Sequence, residues 1–239
     1  MSSPESSASG YTKRDWGSHP PLIHPDYKST VLRGPTKPLI PLQPGLTEMT
    51  GPVYGHEALA PLDADLTRNG VRNGEPVGER IIITGRVLDE LGRGVPNTLI
   101  EIWQANASGR YVHAADQHAA ALDPNFFGGG RCVTDLDGRY KFYTIKPGAY
   151  PWPNHFNAWR PNHIHLSLFG TSFLSRLVTQ LYFPGDPLLD LDPIFLGTPE
   201  AARDRLVAKF SIDATEEGFA LGYAFDIVLR GPLSTPMEG

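Results

Sequence analysis

From Arg80 to Leu229 the chain repeats one pattern, a short apolar or alternating run stopped by a turn. Ile81 to Leu88 is a β-branched run closed by Asp89-Glu90-Leu91-Gly92, and such side chains pack well on a pleated surface. Thr98 to Trp103 reads as a second strand. Cys132-Val133-Thr134 and Arg139 to Ile145 flank the strong turn signal Asp135-Leu136-Asp137-Gly138. His163 to Phe169 alternates in polarity, and Leu177 to Phe183 is a further strand. In Leu221 to Leu229 the residues Leu221, Tyr223, Phe225, Ile227 and Leu229 share one face. Many short strands with frequent turns predict an all-β fold, a β-sandwich of mixed topology. One helix is predicted, with Thr198 as N-cap, Pro199 at its first position and Glu200 at the positive end of its dipole. Leu206, Val207 and Phe210 would form its apolar stripe. One or two short helices are expected, and there is no internal repeat.

Upstream of residue 80 the pattern changes. Residues 1–10 are Ser-rich and predict disorder. His19 to Pro61 is dense in proline, which excludes helices and central strands, yet it carries Leu, Ile, Val and Tyr. That mixture predicts an extended arm lying on a surface, its own or a partner's. The expected division is residues 1–78 as arm and interface segment and 79–239 as the β-sandwich domain. The 23 prolines and 25 glycines follow no collagen-like period, which agrees with turns and extended connections. A net charge of -5 argues against a nucleic-acid surface. Cys132 is the sole cysteine, so an intrachain disulfide and a thiolate zinc cage are both excluded. The start MSSPESSASG lacks the basic and apolar regions of a secretory signal. No apolar stretch approaches the ~18–20 residues that span a bilayer. A cytoplasmic protein without membrane contact is expected.

The candidate chemistry lies in His163-Ile164-His165, Tyr111 and Tyr150. On a strand, His163 and His165 point to one face and Ile164 to the other. Both tyrosines adjoin glycine-containing turn sequence. Two imidazoles and two phenolates suit a hard, highly charged ion, and ferric iron is the physiological choice. Spacing alone does not bring the four together: a lone His-x-His arises by chance, and each tyrosine could simply pack. A cupin-like oxygenase would want a glutamate soon after the second histidine, where Leu166-Ser167-Leu168-Phe169-Gly170 stands. A zinc hydrolase would want a third histidine or a carboxylate. Gly128-Gly129-Gly130-Arg131 lacks the ending of a phosphate loop and reads as a turn near the site's rim. His113, His118 and His155 read as surface histidines, and Cys132 as a small buried hydrophobe.

Three separated blocks, ITGRVLDELGRGVPNTLIEIWQANASGRY, TDLDGRYKFYTIKPGAYPWP and WRPNHIHLSLFG, carry a resemblance to the intradiol ring-cleavage dioxygenases. It extends over roughly residues 20–235 and implies non-haem Fe(III) held by Tyr111, Tyr150, His163 and His165, with a solvent-derived hydroxide. Tyr150 matches the tyrosine that leaves the metal and takes a substrate proton. Arg160 matches an arginine that stabilises negative charge on the substrate ring, and Gln180 a polar residue beside it. Tyr27, Trp152 and Ile194 match residues lining the substrate pocket. Trp103 reads equally as a neighbour of the iron or as core. The Pro-rich arm with HPDYKST, and no helical N-terminal dimerisation domain, place the chain nearest those family members built from two homologous chains. That implies a homologous α chain as partner, forming αβ units in a larger oligomer. The implied activity is cleavage of 3,4-dihydroxybenzoate with O2 to 3-carboxy-cis,cis-muconate, in aromatic catabolism through the β-ketoadipate pathway. Catechol or hydroxyquinol is the alternative substrate. The non-enzyme alternative is a transthyretin-like β-sandwich binding module, in which segments such as GRVLDELGRGVPNTLIEIW and TDLDGRYKF also occur; it would explain the first half of the domain and leave Tyr150 and the histidine pair unexplained.

Overall fold

The protein is described by a computed structural model over residues 15–21, 37, 55–156, 158–170 and 177–237. Tyr27 and most of the proline-dense stretch lie outside the described residues. Among the described residues there are eleven strands: β1 (Arg80–Leu88), β2 (Leu99–Trp103), β3 (Gly129–Val133), β4 (Arg139–Ile145), β5 (Tyr150–Trp152), β6 (Ala158–Arg160), β7 (His163–Phe169), β8 (Leu177–Tyr182), β9 (Lys209–Phe210), β10 (Leu221–Ala224) and β11 (Ile227–Val228). One sheet is built around β1, which pairs antiparallel with β4 and parallel with β10 and β11; β9 extends it beyond β10. The second runs β3-β2-β7-β8, all antiparallel. Strands β5 and β6 form a separate hairpin.

The mixed sandwich predicted from the alternation is therefore what forms. Ile81, Ile83, Val87, Phe142 and Tyr140 from one sheet meet Ile100, Ile102, Ile164, Leu166 and Leu168 from the other in a single buried cluster. Apolar burial of this kind is worth roughly 25 cal/mol per Å². Upstream residues join it. Leu66 is fully buried, its N–H donates to the Tyr143 carbonyl at 2.8 Å, and Asp63 pairs with Arg131 at 2.8 Å.

Three local expectations are corrected. The alternating run Leu221 to Leu229 is split into β10 and β11, because the Arg86 N–H bonds the Asp226 side chain at 2.8 Å instead of a backbone carbonyl. The adjoining Phe225 carbonyl lies where a Cβ on Gly85 would sit and accepts from Tyr140 Oη at 2.5 Å. The predicted helix becomes two short ones, α1 (Pro193–Gly197) and α2 (Glu200–Arg203). Thr198 closes α1, Asp192 caps it, and no side chain caps α2. Phe210 leaves the helical stripe for β9, where it is exposed. Finally, Gly129 and Gly130 are not a turn: they pair with Trp103 and Ile102 in the β2–β3 ladder, where Leu66 and the Asp63 carbonyl occupy the space a Cβ on Gly130 would need.

Candidate metal centre and active site

Strand β7 divides its two faces by chemistry. Ile164, Leu166 and Leu168 enter the sandwich core, while His163, His165 and Ser167 take the opposite face and are also buried. Strand register then builds rows across that second face. His165 lies opposite Trp103 on β2 and Gln180 on β8, and His163 opposite Tyr182. Directly opposed residues share a face. Trp103 accordingly stacks on His165, with ring centroids 4.8 Å apart and planes 4° from parallel. The hairpin sets Tyr150 opposite Arg160 by the same rule, so Tyr150 stands on a strand and not in the loop the sequence suggests.

Tyr111 reaches the site by a close contact between two backbones. Gly109 has φ of +74°, and a Cβ on it would lie 2.1 Å from the Ala149 carbonyl. A Cβ on Gly148 would lie 2.3 Å from the Ala107 carbonyl. Only residues without Cβ let these segments touch, and each is followed within two residues by a site tyrosine. Asn106 fixes the turn, its Oδ1 accepting from the N–H groups of Ser108 and Arg110 at 2.9 and 3.0 Å. Asp116 accepts from the Tyr111 N–H at 2.8 Å.

The four residues singled out in the sequence come together. Tyr150 Oη is 3.2 Å from His163 Nε2. The Tyr111 ring is 5.4 Å from Tyr150 and 6.5 Å from His165, and the two imidazoles are 4.9 Å apart, all by centroids. His163 Nδ1 lies 2.7 Å from the Pro161 carbonyl. That contact assigns the proton to Nδ1 and leaves the Nε2 lone pair facing the tyrosine, the usual arrangement of a metal-binding histidine. Burial drives the His163 imidazole well below its ordinary pKa, with Arg160 and His165 adding to the effect and the Pro161 contact opposing it. A neutral imidazole is the form that ligates. Among the described residues no three His, Cys, Asp or Glu side chains form a metal-sized cluster.

Behind the hairpin lies a buried polar cluster. Arg160 is 2% exposed. Its Nη2 donates to Gln180 Oε1 and, at 3.1 Å, to Tyr182 Oη. Its Nε lies 2.9 Å from Asp192 Oδ1, an ion pair without an aligned N–H···O bond. Burial is the largest single influence on Arg160 and works against its charge, but Tyr182, Asp192 and Tyr150 outweigh it and raise its pKa. The guanidinium faces the Trp152 ring at 5.8 Å. Ile194 and Gln180 line a cavity of about 10 Å³, room for one water. The main cleft is separate, about 1050 Å³, and includes Trp103, Tyr111, Tyr150, Trp152, Trp159 and His165 in its wall. His113, His118 and His155, read as surface histidines, line this cleft too. They stay apart from the tyrosine–histidine group: His118 meets Trp159 edge-on and His155 stacks on Trp152. Cys132 packs against the core cluster, and burial pushes its thiol up to about 12.

Tyr182, Asp192 and Asn106 were not singled out in the sequence. The Asp192-Pro193 pair at a helix start was the one legible signal among them, since Asp at N-cap and Pro at the first position go together.

Fold and similarity agree on the class, a dioxygenase. Residues 49–231 match the family model described as Dioxygenase, and residues 12–45 match protocatechuate 3,4-dioxygenase beta subunit N terminal. The protocatechuate 3,4-dioxygenase beta chain of Burkholderia cepacia is 71% identical over 95% of this chain and 97% of its own. The alpha chain of Pseudomonas putida protocatechuate 3,4-dioxygenase is 32% identical over 80% of this chain and 94% of its own. Among solved structures, hydroxyquinol 1,2-dioxygenase of Pseudomonas putida DLL-E4 superposes with a TM-score of 0.52 at 25% identity, covering 74% of this chain and 62% of that one. The chain belongs to the intradiol ring-cleavage dioxygenases. That family uses non-haem iron. No described helix is long and apolar enough to cross a membrane.

Proposed function

We propose that this chain carries the iron site of a protocatechuate 3,4-dioxygenase, cleaving 3,4-dihydroxybenzoate between its hydroxylated carbons to 3-carboxy-cis,cis-muconate. The observation that carries the reading is the convergence of Tyr111, Tyr150, His163 and His165, three of them in the wall of the cleft and His163 buried beside Tyr150. The 71% identity to a beta chain supports the choice of substrate. Two phenols and two imidazoles fit Fe(III): phenolates offset its charge, and a bound cation keeps tyrosine deprotonated far below its free pKa of ~10. When bound, the iron supplies a Lewis-acidic seat for the two catechol oxygens and makes the ring reactive toward O2.

The chain's own groups do the rest. Tyr150 Oη would receive one of the two protons the catechol must lose, and a solvent-derived hydroxide the other. Arg160, held charged in a buried setting, favours negative charge on the ring, an effect that grows as water is excluded. Gln180 and Tyr182 orient its guanidinium. Trp152 and, outside the described residues, Tyr27 bound the substrate; Ile194 packs behind Gln180. We further assign residues 1–78 to an arm and interface segment, residues 79–239 to the catalytic domain, and a homologous α chain as partner. The half-exposed Trp159 and exposed Phe156 on the hairpin beside the cleft support a partner there.

The test is to purify the chain with its α partner, record the visible spectrum, and titrate 3,4-dihydroxybenzoate without oxygen. A red-brown protein whose tyrosinate band shifts on titration is expected. A colourless protein, or an unchanged band, overturns the assignment.

A further inference from the structure

We propose that Asp192 is a positioning residue of the reaction, acting through Arg160 and through the helix that bears Ile194. This rests on the reading of Arg160 as the group that favours negative charge on the substrate ring. Asp192 is fully buried, yet one carboxylate serves four partners. Its Oδ1 stands 2.9 Å from Arg160 Nε and accepts from the Ile194 N–H at 3.3 Å. Its Oδ2 accepts from Tyr182 Oη at 3.3 Å and from the Phe195 N–H at 3.3 Å. The single Tyr182 Oη proton is shared between Asp192 Oδ2 and Gln180 Oε1, the latter at 2.9 Å, and Gln180 Oε1 also accepts from Arg160. The guanidinium is thus held by Asp192 directly and by Tyr182, which Asp192 contacts.

Charge matters here beyond shape. The Arg160–Asp192 contact is close without being an aligned hydrogen bond, so Asp192 acts on Arg160 chiefly as a compensating charge. A buried cation without a partner seeks solvent or another anion, and in this fold either move takes the guanidinium away from the face of Trp152 and from Tyr150. The same carboxylate caps α1, so the helix carrying Ile194 and the charge on Arg160 are set by one group.

Asp192→Asn keeps the shape and one cap acceptor but removes the charge. In the holoenzyme with its α partner we expect iron content and the visible band retained, KM changed little, and kcat lowered by about 10-fold to 100-fold, the usual scale for an orienting partner. In an Arg160→Ala background the same change should lower kcat much less, since only the cap on α1 is then altered. Asp192→Glu, which keeps the charge on a longer stem, should fall between wild type and Asp192→Asn, and decides the matter if the asparagine variant does not fold. Wild-type kcat in either variant, or an undiminished loss in the Arg160→Ala background, overturns the proposal. An Arg160→Ala enzyme with wild-type kcat would instead overturn the role given to Arg160.

Discussion

His163 shows at the level of one side chain how the site is set. Its Nδ1 is engaged by the Pro161 carbonyl, so Nε2 is the atom turned toward Tyr150 Oη. Replacing His163 by Ala removes that atom and spares the core, because Ile164 and not His163 packs there. The variant should fold and bind little iron, read as metal per chain by elemental analysis; full occupancy would remove His163 from the ligand set. Tyr150→Phe tests a different property. It keeps the ring and loses the oxygen proposed to take the substrate proton. A positioned proton acceptor is worth roughly 10²–10⁴-fold, so substrate deprotonation, followed by stopped-flow absorbance, should slow by at least about 10²-fold, with the visible band altered. The residues with metal-binding chemistry were legible in sequence because residue type and strand alternation suffice to nominate them. Asp192 was not. A single acid in a Pro-rich loop has many uses, and only the fold brings it to Arg160, far upstream along the chain.

Between elements, the deciding contacts are backbone to backbone. The turn bearing Tyr111 touches the segment bearing Tyr150 because Gly109 and Gly148 present no Cβ. Gly109→Ala combines a positive φ with a collision against the Ala149 carbonyl. A left-handed non-glycine residue costs about 1–3 kcal/mol, and in a chain of this size that lowers Tm by only a few degrees per kcal/mol. The relative position of the two phenols should suffer more. Iron content and kcat are expected to fall well beyond what the melting curve shows; a variant that loses Tm but keeps iron and kcat would mean the turn has slack. Leu166→Ala is the counterpart. It opens a cavity on the core face of β7, at about 2–5 kcal/mol, measured by denaturant unfolding, while the folded fraction should keep its iron. The strands were legible from alternation, and the run of Tyr150-Pro151-Trp152-Pro153 was not, since two prolines disguise a hairpin edge. Helix signals misled for a related reason. Thr198-Pro199-Glu200 has the composition of a helix start, but Asp192-Pro193 begins the helical region earlier and Thr198 is spent ending α1.

For the whole molecule, the cleft poses a problem of size and charge that the described residues do not solve. As bounded by the described residues it measures about 1050 Å³, at the upper end of pockets for much larger ligands. A dihydroxybenzoate needs little of that space. Water filling the remainder would weaken the electrostatic help Arg160 gives. The described lining also contains no lysine or arginine, although the substrate bears a carboxylate and Arg160 is already committed to Asp192 and Gln180. Something further must narrow the cleft and meet that carboxylate: Tyr27, a homologous α chain, or both. If the α chain does so, this chain expressed alone should be poorly active, with a KM for 3,4-dihydroxybenzoate raised far more than that for unsubstituted catechol, because only the former has a carboxylate to anchor. Adding the α chain should restore the difference. A homomer with full activity and the same preference would show that the segment around Tyr27 closes the site unaided, leaving the iron-binding wall intact but removing the need for a second chain.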